Sequence, residues 1–296
     1  MATIVMREVR RAPRRGRTTV SEISERIFLM CASTLFTGLS QHDCEEIASC
    51  AQARTFRNNE ILFMQGQPAR NLALIRSGSV KLSRLGPNGN EVILAMAGQG
   101  DTIGVLADSL TRSHTCSARA MEQGSVLIWD FDKLQKFLEE FPQIRKNIGQ
   151  ILSNRLNELE ERFREVATEN VANRVALTLL RLAKQIGTPA SGGIKVSLSR
   201  EELGQMTGTT LFSISRLLSK WGDDGLVLPL REAVVVLDAK RLGLVGSRGN
   251  GGTRELPIVP LAFLKQNQSK SAIAVSIQGG LPLHPRDEGP SLGHAA

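Results

Sequence analysis

The chain has 296 residues, of which 41% are hydrophobic and 22% charged, and its formal net charge is +8. This length predicts about two domains with enough apolar residues for buried cores. No apolar run approaches the roughly 20 residues of a membrane-spanning helix, and no apolar stretch of a secretory signal follows the basic N-terminus. The composition therefore excludes an integral membrane protein and predicts a cytoplasmic one.

The positive charge is concentrated at the two ends of the chain. Residues 1–20 hold six arginines and one glutamate, and residues 242–296 have a net charge of +2, which leaves +1 for residues 21–241. Both ends lack apolar periodicity, so we predict a disordered basic arm over 1–20 and a disordered tail over 242–296. The alternative for the arm is that it adds non-specific phosphate contacts in a DNA-binding protein.

The four cysteines are separated by 13, 6 and 66 residues, so the sequence contains no C-x-x-C pair: Cys31, Cys44, Cys50 and Cys116. This spacing excludes a zinc ribbon and a thioredoxin motif. We therefore expect free thiols and no metal site.

Short apolar runs alternate with glycine turns from Ile61 to Phe131. The runs have four to six residues, and Asn88-Gly89 is a strong hairpin signal because both residues tolerate positive φ. Such spacing is typical of an antiparallel roll or barrel. We predict a β-roll sensor domain over residues 21–140.

A long amphipathic helix is predicted over residues 141–168. Its apolar residues recur at steps of three and four: Phe141, Ile144, Ile148, Ile151, Leu152, Leu156, Leu159, Phe163 and Val166. A second copy of the helix is the simplest cover for this stripe and predicts a homodimer. The alternative is that the helix packs only on its own β domain.

Residues 169–241 have the pattern of a winged helix-turn-helix domain. After a first helix, the run Ser199–Glu202 matches a capping box and opens a short helix that ends at Gly208. A second helix is predicted over 211–221, and residues 225–238 predict the β-hairpin of a wing. Two short helices joined by a tight glycine turn are typical of DNA-binding domains.

The outward face of that second helix is rich in hydroxyl groups and carries arginine and lysine. Arg216 can donate two hydrogen bonds to O6 and N7 of guanine, while hydroxyls and backbone amides hold phosphates. We predict that DNA is contacted by Arg200, Thr209, Thr210, Leu211, Phe212, Ser213, Ser215, Arg216 and Lys220.

Over about residues 35–241 the sequence resembles the CRP/FNR superfamily of bacterial transcription regulators. The resemblance rests on the run from Ser199 to Leu226 together with three motifs: Phe36-Thr37-Gly38-Leu39-Ser40, Ser77-Gly78-Ser79-Val80-Lys81-Leu82 and Gly100-Asp101-Thr102-Ile103-Gly104. It implies an α+β fold, with an antiparallel β-roll of the cyclic-nucleotide-binding jelly-roll type, a long dimerisation helix and a C-terminal winged helix-turn-helix. It also implies a homodimer on double-stranded DNA with a two-fold symmetric operator, a signal read in the β-roll, and RNA polymerase as a further candidate partner.

The effector pocket that the resemblance implies consists of Gly104, Val105, His114 and Thr115. In the cyclic-AMP branch a glutamate at the position of Val105 binds the ribose, and an arginine at the position of His114 pairs with the cyclic phosphate. Each such bond to a charged group is worth about 1.5–3 kcal/mol. Tight cyclic-nucleotide binding is therefore not expected.

The oxygen-sensing branch of the superfamily holds an iron–sulfur cluster on four cysteines. The cysteine spacing here differs, and no cysteine lies near Ile128, where the resemblance would require one. We therefore expect neither a cluster nor haem on His114, and no other cofactor. The pair Ser215-Arg216 resembles the DNA-reading helix of that branch, but Phe212 stands where that branch has glutamate.

These observations predict a homodimeric, sequence-specific DNA-binding transcription regulator that responds to an unidentified signal in the β-roll. Two alternatives stay open: a constitutive regulator with a ligand-blind β-roll, and a true cyclic-nucleotide-responsive regulator. The sequence has no nucleophile–base set, phosphate loop or metal-spaced group, so we predict no enzymatic activity and no catalytic residue.

Overall fold

The computed structural model describes residues 20–104 and 113–245. The predicted arm, apart from Val20, and residues 246–296 of the predicted tail lie outside these residues, as does Val105 of the predicted effector pocket. The prediction of a disordered tail from residue 242 is wrong for residues 242–245, which belong to a helix that buries Leu242.

The N-terminal half combines helices with two four-stranded antiparallel sheets, in the orders β1-β8-β3-β6 and β2-β7-β4-β5. The elements in chain order are α1 (Val20–Cys31), a 3-10 turn (Thr34–Phe36), α2 (Gln41–Ser49), β1 (Gln52–Phe56), β2 (Ile61–Phe63), β3 (Asn71–Ser77), β4 (Val80–Leu85), β5 (Glu91–Ala97), β6 (Thr102–Gly104), β7 (Ser117–Ala120) and β8 (Gly124–Asp130). The two sheets enclose an apolar core with Phe56, Ile75 and Val126 at its centre. The predicted β-roll is confirmed.

Helices α1 and α2 and strand β1 were not predicted from the sequence. Strand β1 has no apolar alternation in its sequence. Four of its five residues are exposed, and only Phe56 is buried. The helices cover a second core, in which the indole nitrogen of Trp129 donates a hydrogen bond to the Ile47 carbonyl oxygen at 2.8 Å.

Helix α3 (Phe131–Glu140) leads into α4 (Pro142–Thr168), which is the predicted long helix. Only the first part of its apolar stripe is covered, since Ile144 and Ile148 pack in the N-terminal core. The Asn147 amide, also buried, donates hydrogen bonds of 2.8 Å to two backbone carbonyl oxygens of the N-terminal segment. The start of α4 is therefore fixed to its own β-roll.

The described C-terminal half has eight further elements, four helices and four strands. They are α5 (Val171–Gln185), β9 (Thr188–Ala190), β10 (Gly193–Val196), α6 (Arg200–Thr207), α7 (Leu211–Asp223), β11 (Val227–Pro229), β12 (Val234–Val236) and α8 (Ala239–Val245), with a sheet order of β11-β12-β10-β9. Helix α5 ends at Gln185, and the chain then turns into β9. The α+β class is confirmed.

All described residues belong to one compact unit, and the two halves of the chain pack directly on each other. Ile93 and Met96 of β5 lie in the same apolar core as Leu203 of α6 and Trp221 of α7. Strand β5 is the edge of its sheet, so no further strand lies between it and the helices beside it.

Candidate DNA-binding surface and effector cavity

The helix-turn-helix is held by local hydrogen bonds that the sequence predicted. The Ser199 hydroxyl accepts from the Glu202 backbone N–H at 3.1 Å, and the Glu202 carboxylate accepts from the Ser199 N–H at 2.9 Å. Gly208 ends α6 in the left-handed conformation with φ +62°. A Cβ at Gly204 would lie 2.9 Å from the Thr209 carbonyl oxygen, so glycine permits the tight turn.

Helix α7 presents two clearly different faces. Ile214, Leu218 and Trp221 are buried in the core of the domain. Phe212 and Arg216 lie one turn apart on the opposite face and are exposed. The predicted contact residues are therefore grouped around one solvent-facing helix surface.

The remaining predicted DNA contacts surround this surface with different degrees of exposure. Thr210, Leu211 and Lys220 are exposed, whereas Arg200, Thr209, Ser213 and Ser215 are half-buried. The Nε atom of Arg200 is buried without a hydrogen-bond partner among the described residues. Arg200 thus lies at the start of α6, at the margin of the α7 surface.

The predicted wing is present as a short hairpin. Strands β11 and β12 pair antiparallel, with Val227 opposite Val236 and Pro229 opposite Val234. Arg231 and Glu232 are exposed in the connecting turn. The wing follows α7 directly, which is the arrangement of a winged helix-turn-helix.

Helix α4 exposes the second part of its apolar stripe. In the described single chain, large apolar side chains follow one another along it at helical spacing, and we call them the exposed stripe: Leu152, Leu156, Leu159, Phe163 and Val166. Such a continuous apolar surface on a helix is typical of an interface.

The β-roll contains a cavity of about 190 Å³. Its lining is apolar with basic and amide groups at intervals: Arg54, Leu62, Phe63, Gln67, Pro68, Arg70, Asn71, Ala73, Ile103, Gly104, His114, Val126 and Ile128. Gly104 and His114 of the predicted pocket therefore line one cavity, whereas Thr115 is exposed and does not line it.

The His114 ring stacks on Phe63, with ring centroids 3.9 Å apart and an interplanar angle of 10°. Burial lowers the pKa of His114, which favours the neutral imidazole. Gly104 has φ +94°, and a Cβ there would clash with the Asn71 carbonyl oxygen. The positions of His114 and Gly104 in the cavity wall are therefore fixed by contacts with Phe63 and Asn71.

The cysteines lie apart from this cavity and form no disulfide in the described chain: Cys31, Cys44, Cys50 and Cys116. Burial, with the nearby Cys31 thiol, raises the pKa of Cys44 to about 11. Across residues 20–104 and 113–245 no three potential ligand side chains are grouped as a metal site. In that same part of the chain no helix is both long and apolar enough to cross a bilayer.

An ion-pair cluster between the two halves was not predicted from the sequence. The Lys81 Nζ of β4 lies 3.0 Å from the Glu202 carboxylate of α6 and 3.4 Å from that of Glu91. Glu202 therefore completes the capping box and binds the β-roll at the same time. From the sequence, Glu202 is predicted only as part of the capping box. Nothing in the pattern around Lys81 predicts an ion pair.

Helix α4 also forms a hydrogen bond with the β-roll, through Arg155. Arg155 donates to the Thr102 carbonyl oxygen at 2.8 Å, and the Asp101 carboxylate accepts from the Gly98 N–H at 2.9 Å. Burial raises the pKa of Asp101 despite these favourable partners. Arg155 thus connects α4 to β6, whose Ile103 and Gly104 line the cavity.

Two family models match the chain, a cyclic nucleotide-binding domain over residues 53–141 and a Crp-like helix-turn-helix domain over residues 173–244. A CRP-like cAMP-activated global transcriptional regulator of Mycobacterium tuberculosis is 26% identical over 216 residues, 72% of this chain and 96% of that protein. A cyclic AMP receptor protein of Thermus thermophilus is 28% identical and covers 67% of this chain and 89% of its own length.

Solved structures give the same result. The c-di-GMP responsive global regulator CLP of Xanthomonas campestris superposes with a TM-score of 0.56 at 25% identity, covering 67% of this chain and 99% of that one. FixK2 of Bradyrhizobium japonicum shares the fold, with a TM-score of 0.58 at 24% identity over 65% of this chain and 95% of that one. The fold and the α7 surface define a DNA-binding transcription regulator. The chain belongs to the CRP/FNR superfamily.

Proposed function

We propose that this regulator binds two-fold symmetric operators as a homodimer. The observation that carries the proposal is the exposed α7 surface around Arg216, with hydroxyl groups and Lys220 beside it. Such a surface suits the major groove, where arginine reads guanine and hydroxyls hold phosphates. Because α7 is short, one copy reads only a half-site, and a second copy supplies the other.

The exposed stripe of α4 supports the homodimer. Two copies of α4 packed along this stripe would each remove the same apolar residues from water, as an isologous interface requires. Recognition helices on the two copies would then enter successive major grooves about 34 Å apart, one turn of DNA.

The test replaces Phe163 with glutamate. Two buried like charges at the helix pair should convert the dimer to a monomer in sedimentation equilibrium and abolish high-affinity operator binding. Leu85→Glu is the matched control, because Leu85 is an exposed leucine of the β4–β5 hairpin. A Phe163→Glu protein that stays dimeric would contradict the proposed interface.

We further propose that the signal in the β-roll is not a cyclic nucleotide. A neutral His114 stacked on Phe63 does not supply the permanent positive charge that would hold a cyclic phosphate. A constitutive regulator with a ligand-blind β-roll, or a true cyclic-nucleotide regulator, remains an outcome of the test.

Calorimetric titration of the dialysed protein with cyclic AMP provides that test. We expect no heat of binding up to millimolar ligand, and a gain of binding in the double variant Val105→Glu/His114→Arg. Micromolar binding by the unchanged protein would contradict the proposal and favour the cyclic-nucleotide alternative. If no small-molecule fraction of a cell extract changes the affinity for the operator, this result would favour the constitutive regulator.

The proposed place of action is the cytoplasm, with RNA polymerase as a further partner of the bound dimer. We propose no enzymatic activity for the protein and no bound metal, haem or iron–sulfur cluster. The cysteine spacing and the absence of a cysteine near Ile128 argue against a cluster.

A further inference from the structure

Phe212 is a large apolar side chain at the centre of the surface that faces DNA. It is 77% exposed, in the first turn of α7 and opposite the buried Ile214 and Leu218. Its ring has no hydrogen-bonding group, so it can hold neither phosphates nor the polar edges of bases. The apolar group that base pairs present in the major groove is the C5-methyl of thymine.

The hydroxyl groups at this first turn already take part in capping the N-terminus of α7. The Thr210 hydroxyl accepts from the Ser213 N–H at 3.2 Å, and the Thr210 and Ser213 hydroxyls lie 3.1 Å apart. Leu211 and Phe212 are the side chains that the first turn projects outward between these two residues, and Phe212 is the more exposed, at 77% against 54%.

Arg216 lies one helical turn after Phe212 on the same face. Side chains at positions i and i+4 have Cβ atoms about 5–6 Å apart, and successive base pairs are about 3.4 Å apart. The two side chains therefore reach base pairs that are neighbours or next neighbours in a half-site.

We propose that Phe212 is a specificity residue that packs on the C5-methyl group of a thymine one or two base pairs from the guanine read by Arg216. The inference rests on the proposed binding of a specific operator. It assigns to an apolar contact the position at which related regulators carry a hydrogen-bonding glutamate.

The test begins with selection of duplexes from a randomised pool at fixed salt, which yields the operator. Arg216→Ala then identifies its guanine by the position at which preference is relaxed. Each thymine within two base pairs is next replaced by deoxyuridine, which lacks only the C5-methyl, and dissociation constants are compared.

We expect one symmetric thymine position at which uracil weakens binding by the unchanged protein about fourfold per half-site, the effect of burying one methyl-sized group. Phe212→Ala should bind thymine and uracil operators equally at this position. Phe212→Leu should retain part of the discrimination. Leu85→Ala, at an exposed leucine of the β4–β5 hairpin and not among the predicted DNA contacts, should keep the full uracil penalty.

Equal affinity of the unchanged protein for thymine and uracil operators would overturn the proposal, as would a uracil penalty that persists in Phe212→Ala. An operator without thymine near the guanine of Arg216 would overturn it as well. A pool from which no sequence is enriched would instead overturn the proposed sequence-specific binding, and the role of Phe212 with it.

Discussion

Lys81 provides a measurable connection between the β-roll and the helix-turn-helix. Its side chain is only 10% exposed, and its ammonium lies 3.0 Å from Glu202, whose side chain is 15% exposed. Replacement of Lys81 by methionine removes the charge and keeps an unbranched side chain of similar length. The variant therefore tests the ion pair with little change in packing.

The structure sets the expected magnitude. A hydrogen bond to a charged group contributes about 1.5–3 kcal/mol, and a carboxylate left buried without its cation costs more. Glu202 keeps its bonds from Ser199, while the side chain of Glu91 is 29% exposed and can be hydrated. We therefore expect Lys81→Met to lower the free energy of unfolding by about 2 kcal/mol.

The two tryptophans of the chain allow each half to be followed separately. Trp129 is buried in the N-terminal core and Trp221 in the helix-turn-helix core. Urea unfolding is measured in the Trp129→Phe and Trp221→Phe backgrounds, and each background is compared with and without Lys81→Met. With Lys81→Met, the transition reported by Trp221 should move to lower urea, whereas the exposed Lys136→Met should leave both unchanged.

A double-mutant cycle with Glu202→Gln isolates the pair itself. We expect a coupling free energy of about 1.5 kcal/mol between Lys81 and Glu202. A coupling below about 0.3 kcal/mol, the range found for independent sites, would refute the reasoning.

Three further predictions concern the cavity loop and α7. Gly104→Ala should destabilise the β-roll by about 3 kcal/mol in urea denaturation, from its positive φ and the clash with Asn71. Gly66→Ala, where φ is also positive (+81°) but the space is open, should cost about 1 kcal/mol. Burial raises the pKa of Asp101, so its contribution to stability is present at low pH and is lost as pH rises from about 3.9 through the folded-state pKa. Asp101→Asn should flatten that pH dependence, and an unchanged slope would contradict the assignment. Phe212→Glu should shift operator selection towards cytosine at one symmetric position, because glutamate accepts from cytosine N4; an unchanged selected operator would count against groove contact.

The local features of the DNA-binding half were predictable from the sequence. The capping box, the glycine at the end of α6 and the N-cap Thr210 act over three or four residues, and each is present. The capping box of α2, Ser40 with Asp43, is equally local, but this nine-residue helix buries only three side chains, so no long apolar stripe indicates it in the sequence.

The sequence by itself determined the elements whose hydrogen bonds and apolar periodicity are local: the long helix, the turns of the β-roll and the two helices of the DNA-binding domain. The tertiary structure decided which part of the α4 stripe is covered, because Ile144 and Ile148 are buried in a core to which residues far away in the sequence, such as Leu35, contribute. It also decided the pairing of Lys81 with Glu202, 121 residues apart. Sequence spacing fixes the face on which a side chain lies, whereas the partner it meets across that distance depends on the path of the whole chain.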